Sequence, residues 1–240
     1  MLTILCKSVT IFFEVIDVSN MEMERPEVSK KVLARIRRDI VLYQYADGEQ
    51  IKEIELAEKY DCSRAAIRSA IVVLQKEGLV KIHKNGTKTV ECLSRADIED
   101  LYELREYIEI SAVKRIMKNK IKDFSGIFDI VNSVYSEVED TTSQLDIDIS
   151  FHTEIIRASG NKALLQAWSN ISSVIREICS LNMIDESYKG FFKENFEERH
   201  ISLMRVLLNV DDNGEAVEKF KEHIAEAYES SVKALDNLKR

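Results

Sequence analysis

Four side chains in the second half of the chain have the types and spacing of a divalent metal site. Asp148 precedes His152 by four residues, which places a carboxylate and an imidazole one turn apart on one face of a helix. His200 and His223 fall on two further predicted helices, each among apolar neighbours. Such side chains can meet inside a helical bundle and share an ion. Buried histidines are also common as ordinary core residues, so the spacing alone leaves both interpretations open.

The helices that would carry these side chains are predicted from apolar periodicity between residues 93 and 240. They cover residues 95–118, 121–139, 144–158, 161–183, 189–209 and 214–238. The predicted breaks fall at Asn119, Asp140-Thr-Thr, Gly160-Asn161, Asp185 and Asp211–Gly214. One Pro and 7 Gly in 240 residues favour a mainly α protein, here an all-α bundle. The sequence has no phosphate loop, dinucleotide fingerprint or nucleophile elbow, and we predict no catalytic residues.

The stretch from Ile54 to Val90 has the pattern of a helix-turn-helix followed by a β-hairpin. Apolar residues at helical spacing predict a short helix around Leu56 and a second helix that ends at Gly78. Between them, Asp61 occupies a tight turn that requires a left-handed residue, and Ser63 can cap the second helix. This turn chemistry is typical of a DNA-reading motif.

The second of these helices is the predicted recognition helix. Arg64, Ala65 and Arg68 lie off its apolar stripe near the N-terminal end, the part that enters the major groove. Arginine can form a forked pair with guanine, and a small alanine allows close approach to the bases. A structural helical hairpin with solvated charges is the alternative.

The hairpin that follows is a predicted wing. Residues 79–83 alternate apolar and polar, Asn85-Gly86 is a strong two-residue turn signal, and residues 87–90 return as the partner strand. Lys84 and Lys88 lie on this wing. The complete set of predicted DNA-binding residues is Ser63, Arg64, Ala65, Arg68, Lys84, Asn85, Gly86 and Lys88.

A further helix is predicted before this motif, from Val28 to Tyr43. Its basic residues Lys30, Lys31, Arg37 and Arg38 are expected on the outer face. They are either phosphate contacts or an ordinary solvated helix face, and the sequence does not separate these interpretations.

The net charge of −8 is unevenly distributed along the chain. Residues 21–92 contain 14 Lys and Arg against 12 Asp and Glu, whereas residues 93–240 contain 19 against 28. An acidic second domain is compatible with DNA binding if it stays away from the phosphates. The 4 cysteines are far apart and have no zinc-finger spacing, so we expect reduced thiols in the cytoplasm.

Three regions are therefore predicted: residues 1–20, residues 21–92 and residues 93–240. The first is apolar but too short and too interrupted by charge to span a membrane. It is either an upstream translation, with the biological start at Met21 or Met23, or an additional strand or arm. The second is the winged helix-turn-helix domain, with three helices and a hairpin. The third is the helical domain for ligand binding and dimerisation.

The residues from Leu56 to Leu79 resemble the GntR-type winged-helix transcription regulators. The consensus LA-x-x-x-G-V-S-R-T-P-V-R-E-A-L-x-x-L-x-x-x-G-L corresponds here to LAEKYDCSRAAIRSAIVVLQKEGL. One departure replaces the Thr-Pro pair with two alanines, which bears on the bases that are read. The resemblance implies that Arg64 and Arg68 contact DNA, and that Asn85 and Gly86 form the wing tip.

The second half resembles the FadR C-terminal domain of a large GntR subfamily. Its metal-binding members show D-x-x-x-H, then G-N, then E-H, then a late H, and this chain has DISFH, GN, ERH and EH in that order. The opening motif L-R-x-x-[LI]-E is matched from Leu104 to Glu109. The resemblance implies a metal ion held by Asp148, His152, His200 and His223.

Three imidazoles and one carboxylate favour Zn²⁺ or Ni²⁺, with Mn²⁺ and Fe²⁺ also compatible. The resemblance implies a small organic acid that binds at the metal, with Arg105 as a second grip on its carboxylate. An ion pair between Arg105 and Glu109 is the alternative role for that arginine. The expected function is a homodimeric regulator, by analogy a repressor, that binds a near-palindromic operator in double-stranded DNA.

Two other functions fit the same residues. The metal centre could activate water in a metalloenzyme, although no general base stands beside the ligands. Alternatively, the metal could be purely structural in a DNA-binding regulator. The sequence does not identify the acid, the metal or the operator.

Overall fold

The computed structural model describes residues 27–135, 141–182, 197–209 and 214–238. The predicted extension over 1–20 and the two candidate starts at Met21 and Met23 lie outside these ranges. So do Asp140 of the predicted break Asp140-Thr-Thr, the predicted break at Asp185, and residues 189–196 of one predicted helix.

The N-terminal part is a winged helix-turn-helix, as the sequence predicted. Its helices are α1 (Glu27–Val41), α2 (Glu53–Lys59) and α3 (Arg64–Lys76), and its strands are β1 (Gln50–Ile51), β2 (Val80–Ile82) and β3 (Lys88–Val90). The three strands form an antiparallel sheet in the order β1-β3-β2. Strand β1 was not predicted, because two residues are too few to show alternation and its pairing partner lies about 40 residues away in the sequence.

The turn chemistry of the motif is confirmed residue by residue. Asp61 adopts φ of 47°, and the Ser63 hydroxyl accepts a hydrogen bond from the amide of Ala66. Helix α3 ends at Lys76, and Gly78 follows with φ of 78°, a conformation that glycine adopts without strain. These residues set the turn between α2 and α3 and the point at which α3 ends.

The prediction that Arg37 lies on the outer face of the first helix is wrong. Arg37 is buried, and its guanidinium makes two hydrogen bonds to the Glu77 carboxylate, at 2.9 Å from Nε and 2.8 Å from Nη2. The partner residue caps α3, so this pair ties α1 to the end of the recognition helix. Lys30, Lys31 and Arg38 are exposed as expected.

The C-terminal part is all helical in the residues described. Its elements are α4 (Arg95–Asn119), α5 (Ser125–Tyr135), α6 (Thr141–Ala158), α7 (Lys162–Leu181), a π-helical segment (Glu197–Ile201), α8 (Ser202–Leu208) and α9 (Glu215–Leu238). Helix α4 is central and packs against α6, α7 and α9. It begins at a capping box formed by Ser94 and Asp97.

Two of these helices begin away from their predicted positions. Helix α5 starts at Ser125 instead of residue 121, because Lys120 ends α4 in a left-handed conformation and Asp123 accepts hydrogen bonds from the Ser125 amide and hydroxyl. Helix α6 starts at Thr141, three residues earlier than predicted, so the prediction of a break at Thr141 and Thr142 is wrong. Asn161 caps α7 through the amides of Ala163 and Leu164, at the break predicted there.

The buried core continues from one domain into the other. One apolar cluster contains Ile36 of α1 together with Trp168 and Ile178 of α7. A second cluster, around Phe151 of α6 and Phe220 of α9, lies within the helical domain. Among the described helices, none combines the length and apolar character required to cross a bilayer.

Candidate functional site

The recognition helix presents a compact set of exposed side chains. Arg64, Ala65 and Arg68 are all exposed on α3, whereas Ile67 and Leu74 on the opposite face are completely buried. The helix is therefore anchored by its apolar stripe, and its arginines project from the N-terminal half. This is the arrangement required for direct base readout in a major groove.

The tip of the wing is exposed beside this helix. Gly86 adopts φ of 83°, and the Asn85 side chain accepts a hydrogen bond from the amide of Thr87 at 3.0 Å. Lys84 is exposed next to them. An open groove of about 440 Å³ lies between the wing tip, the start of α2 and Arg64. The predicted wing residues and the predicted recognition residues therefore line one surface.

Three of the predicted DNA-binding residues, Ser63, Lys88 and Arg68, already have partners within the domain. The Ser63 hydroxyl caps α3, and Lys88 is half-buried with its Nζ 3.3 Å from the Glu53 carboxylate. The same carboxylate lies 3.8 Å from the Nε of Arg68. Glu53 was missed at the sequence level. A lone glutamate at the start of a helix carries no local signal that it will meet a wing lysine 35 positions later.

The four predicted metal ligands come together in the interior of the helical domain. His152 lies on α6, His200 on the π-helical segment and His223 on α9, and all three are buried. One ring nitrogen from each lies within 4.8 Å of the other two, and the Nε2 atoms of His152 and His223 are 3.3 Å apart. The fourth residue, Asp148, places its Oδ1 2.9 Å from His200 Nε2.

The electrostatics of this cluster leave the ligand atoms in the forms that a metal ion requires. Burial lowers the pKa of His200 and of His223, and the other charged or titratable groups nearby lower the pKa of His223 further. Burial alone would raise the pKa of Asp148, but the hydrogen bond and charge of His200 outweigh it, and the pKa falls below its usual range. At neutral pH His200 and His223 are therefore neutral imidazoles, and Asp148 is an ionised carboxylate.

The buried ion pair between Arg105 and Glu109 contacts His152, with Glu109 at its Nδ1 atom. The Glu109 carboxylate accepts a hydrogen bond from His152 Nδ1 at 2.7 Å and another from Arg105 Nε at 2.6 Å. Burial opposes ionisation of Glu109, but its interactions with His152 and Arg105 lower its pKa to about 2. A carboxylate on one ring nitrogen fixes the tautomer and directs the other nitrogen, Nε2, at the cluster, as in many metal sites.

Arg105, the predicted effector residue, adopts the alternative role that the sequence allowed. It pairs with Glu109 inside α4 and is 1% exposed. Its Nη2 atom also donates a hydrogen bond to His152 Nε2 at 3.0 Å. The guanidinium therefore reaches into the histidine cluster itself, where it could also meet a bound anion.

The donor set fits a transition metal ion. Nitrogens that share one zinc ion at about 2.1 Å stand roughly 3.0–3.4 Å apart. The His152–His223 separation of 3.3 Å falls in this range. The hydrogen bond from Arg105 uses the lone pair of His152 Nε2 that would bind the ion, so ligation requires that guanidinium to turn away. Glu109 was not predicted as part of the site, although its position four residues after Arg105 in the α4 motif is a signal that could have found it.

Each half of the chain matches a known protein-family model. The model for bacterial regulatory proteins of the gntR family matches residues 28–90, and the FCD domain model matches residues 100–226, more than half of the chain. The chain belongs to the GntR family, in the group with an FCD domain.

Curated relatives and solved structures agree with this assignment. The chain is 24% identical over 216 residues to the gluconate operon transcriptional repressor of Bacillus subtilis, covering 82% of this chain and 87% of the relative. It is 30% identical over 138 residues to the Nta operon transcriptional regulator of Aminobacter aminovorans, covering 57% and 66% of the two chains. A GntR structure from Rhodococcus sp. RHA1 shares the fold with a TM-score of 0.62 at 19% identity, over 86% of this chain and 98% of that one.

Membership in the GntR family decides between the classes left open by the sequence. The chain is a DNA-binding transcriptional regulator, as predicted, and the metalloenzyme alternative is set aside because the family and these relatives are regulators. The DNA contacts, the metal ligands and the role of Arg105 remain predictions. The structure adds the burial of these residues and the distances between them.

Proposed function

We propose that this GntR regulator is a cytoplasmic homodimeric repressor whose FCD domain binds a divalent transition metal and a small carboxylate that changes its affinity for the operator. One observation carries the proposal. Three buried histidines from three separate elements bring ring nitrogens within 4.8 Å of one another, next to the ionised Asp148. Imidazole nitrogens and a carboxylate that converge at this spacing form a donor set that suits a shared transition metal ion.

Zn²⁺ or Ni²⁺ is the preferred ion, and Mn²⁺ or Fe²⁺ fit less well with three nitrogen donors. His152, His200, His223 and Asp148 would hold it. When bound, the ion supplies a Lewis-acid docking point for a carboxylate. The chain supplies the rest: Glu109 holds His152 in position, and Arg105, once turned from His152, offers a forked donor to the same carboxylate.

The route from this site to the DNA-binding domain runs through charged contacts. Asp146, two residues before Asp148 on α6, pairs with Arg176 of α7 at 2.6 Å. Arg176 also pairs with Glu177 at 2.8 Å. Burial raises the pKa of Glu177, and the charges of Arg176 and, more weakly, of Arg37 on α1 oppose that rise. Helix α7 packs against α1 at this end of the domain. Arg37 in turn holds Glu77 at the end of the recognition helix. A shift of α6 on ligand binding is thereby coupled to the placement of α3.

The dimer follows from the way such motifs read DNA. One recognition helix covers one half-site, and two copies related by a two-fold axis match a near-palindromic operator. Repression is the function named for the Bacillus subtilis relative, and we extend it to this chain. Release by the effector requires that the acid bind the DNA-free arrangement more tightly than the DNA-bound one.

Thermal unfolding of metal-stripped protein tests the binding half of this proposal. Each divalent ion is added alone, and then with a library of small carboxylates. A ligand that binds only the native state raises the unfolding temperature by mass action. We expect a rise with Zn²⁺ or Ni²⁺, a further rise with a particular acid, and neither in His200→Ala.

Two outcomes would change the proposal in different ways. A metal-induced rise that no acid increases, with operator affinity independent of every acid, would make the metal purely structural. No rise with any ion in the wild-type protein would remove the metal site, and the assignment as a DNA-binding regulator would stand alone.

A further inference from the structure

Glu53 is an acidic residue on the surface formed by the wing and the recognition helix. It is the first residue of α2, and its carboxylate is 17% exposed at the edge of the groove between the wing and the recognition helix. DNA presents a dense row of negative charges to this surface. A carboxylate here repels the phosphates and weakens their binding unless neighbouring side chains pair with it.

Those neighbours are basic side chains from two other elements. Lys88 of β3 places its Nζ 3.3 Å from Glu53 Oε1, and Arg68 of α3 places its Nε 3.8 Å from Glu53 Oε2. The pairing of Ile51 with Lys88 across β1 and β3 brings the wing strand to this point. One carboxylate therefore connects the first helix of the motif, the recognition helix and the wing.

The nitrogen through which Arg68 contacts Glu53 determines which of its other nitrogens can bind a base. The guanidinium approaches Glu53 through Nε, and the Arg68 side chain is 61% exposed, so its terminal nitrogens remain available as a forked donor. That fork is the group that recognises guanine through O6 and N7. An arginine held by a carboxylate at Nε loses less side-chain freedom on binding a base than an unrestrained one.

We propose that Glu53 is a positioning residue for operator specificity, which orients Arg68 for base readout and fixes the wing through Lys88. It reduces the general attraction for DNA and increases the preference for one sequence. The inference depends on the DNA-binding function of the family and is independent of the proposed metal and effector.

The test measures affinity for two duplexes. One is a duplex enriched by the wild-type protein from a randomised pool, and the other is a scrambled duplex of the same composition. Glu53→Gln keeps the size of the side chain and removes its charge. We expect the ratio of the two affinities to fall by about tenfold, within the range for one bidentate base contact. Affinity for the scrambled duplex should not fall, because a negative charge has left the DNA face.

Glu55→Gln is the matched control. Glu55 lies in the same first turn of α2, is well exposed and pairs only with Lys52 among the ion pairs of the described residues, at 2.6 Å. The Glu55→Gln substitution removes one negative charge from the same end of α2, and the Glu55 ion pair involves neither Arg68 nor the wing. We expect its affinity ratio to equal that of the wild-type protein.

A double-mutant cycle assigns the effect to the arginine. In an Arg68→Ala background, Glu53→Gln should leave the affinity ratio unchanged, because the side chain that it orients is gone. If Glu53→Gln unfolds below the assay temperature, Glu53→Asp replaces it. That variant retains the charge at the helix start but is too short to reach Arg68, and the same loss of discrimination is expected.

Three results would overturn the inference. In the first, Glu53→Gln lowers both affinities in parallel and leaves their ratio at the wild-type value, which is the behaviour of a residue that only stabilises the fold. In the second, the ratio still falls tenfold in the Arg68→Ala background. In the third, Glu55→Gln reduces the ratio as much as Glu53→Gln does.

Discussion

Replacing Glu109 with Gln is the sharpest perturbation of the proposed metal centre that leaves every ligand in place. Glu109 is fully buried and accepts hydrogen bonds from His152 at 2.7 Å and from Arg105 at 2.6 Å. Gln retains the volume, but it loses the negative charge and exchanges one acceptor oxygen for an amide that can only donate. His152 then loses the group that fixes its tautomer, and Arg105 loses its buried counter-charge.

Two separate free energies change in this variant. Loss of a carboxylate behind a ligating histidine costs about 10- to 100-fold in metal affinity. Because each factor of ten corresponds to about 1.4 kcal/mol, the stabilisation gained from excess metal should shrink by about 1.4–2.8 kcal/mol. Independently, leaving a buried arginine without its partner should destabilise the metal-free protein by about 3–5 kcal/mol.

Urea unfolding of metal-stripped and zinc-loaded protein separates these effects. The loss in the metal-free state reports on Arg105, and the difference between the two states reports on His152. Glu103→Gln is the control, because Glu103 is exposed on the same helix and accepts a hydrogen bond only from Tyr107 among the described contacts, at 3.1 Å. If Glu109→Gln gained as much stability from zinc as the wild-type protein, our assignment of Glu109 as the support of a metal ligand would be refuted.

Four further outcomes follow from the same contacts. The pKa of Glu109 is lowered from 4.5 to about 2 in the folded state. Its stabilising effect is therefore complete above about pH 4.5 and is lost as the pH falls toward 2. The difference in unfolding free energy between wild type and Glu109→Gln should shrink over that interval. Arg64→Ala should cost about 1–3 kcal/mol on the selected duplex and relax specificity at one base pair, whereas Lys84→Ala should weaken all sequences equally and reduce the salt slope by about 1, as measured by fluorescence anisotropy at several salt concentrations. Arg105→Met should keep the metal-induced rise in unfolding temperature and lose the further rise caused by a carboxylate. Ser63→Ala should cost about 1 kcal/mol in urea unfolding through the lost cap of α3, and a change within error would mean that water replaces the hydroxyl.

Local chemistry made much of the fold predictable from the sequence. Asp61 in a left-handed turn and Ser63 as a cap are set by neighbours within three residues, and each was predicted from residue type alone. The spacing of His152 and His223 allowed them to meet inside the bundle but left that open, and it was the resemblance to the metal-binding subfamily that implied a shared ion.

Contacts between distant parts of the chain could not be predicted in this way. Arg37 lies off the apolar stripe of its helix and was expected at the surface, yet a carboxylate 40 residues away forms a bidentate pair that allows its burial. The short strand β1 exists only because β3 lies beside it. The roles of Glu53 and Glu109 likewise depend on partners from other elements.

The central claim is that a metal-borne carboxylate controls DNA binding by this GntR regulator. The most direct measurement is the affinity of the zinc-loaded wild-type protein for its selected duplex, with and without the acid that raises its unfolding temperature most, beside His200→Ala under the same conditions. We expect the acid to weaken binding at least fivefold, a coupling of about 1 kcal/mol, in the wild-type protein only. Equal affinity with and without the acid in both proteins would contradict the claim.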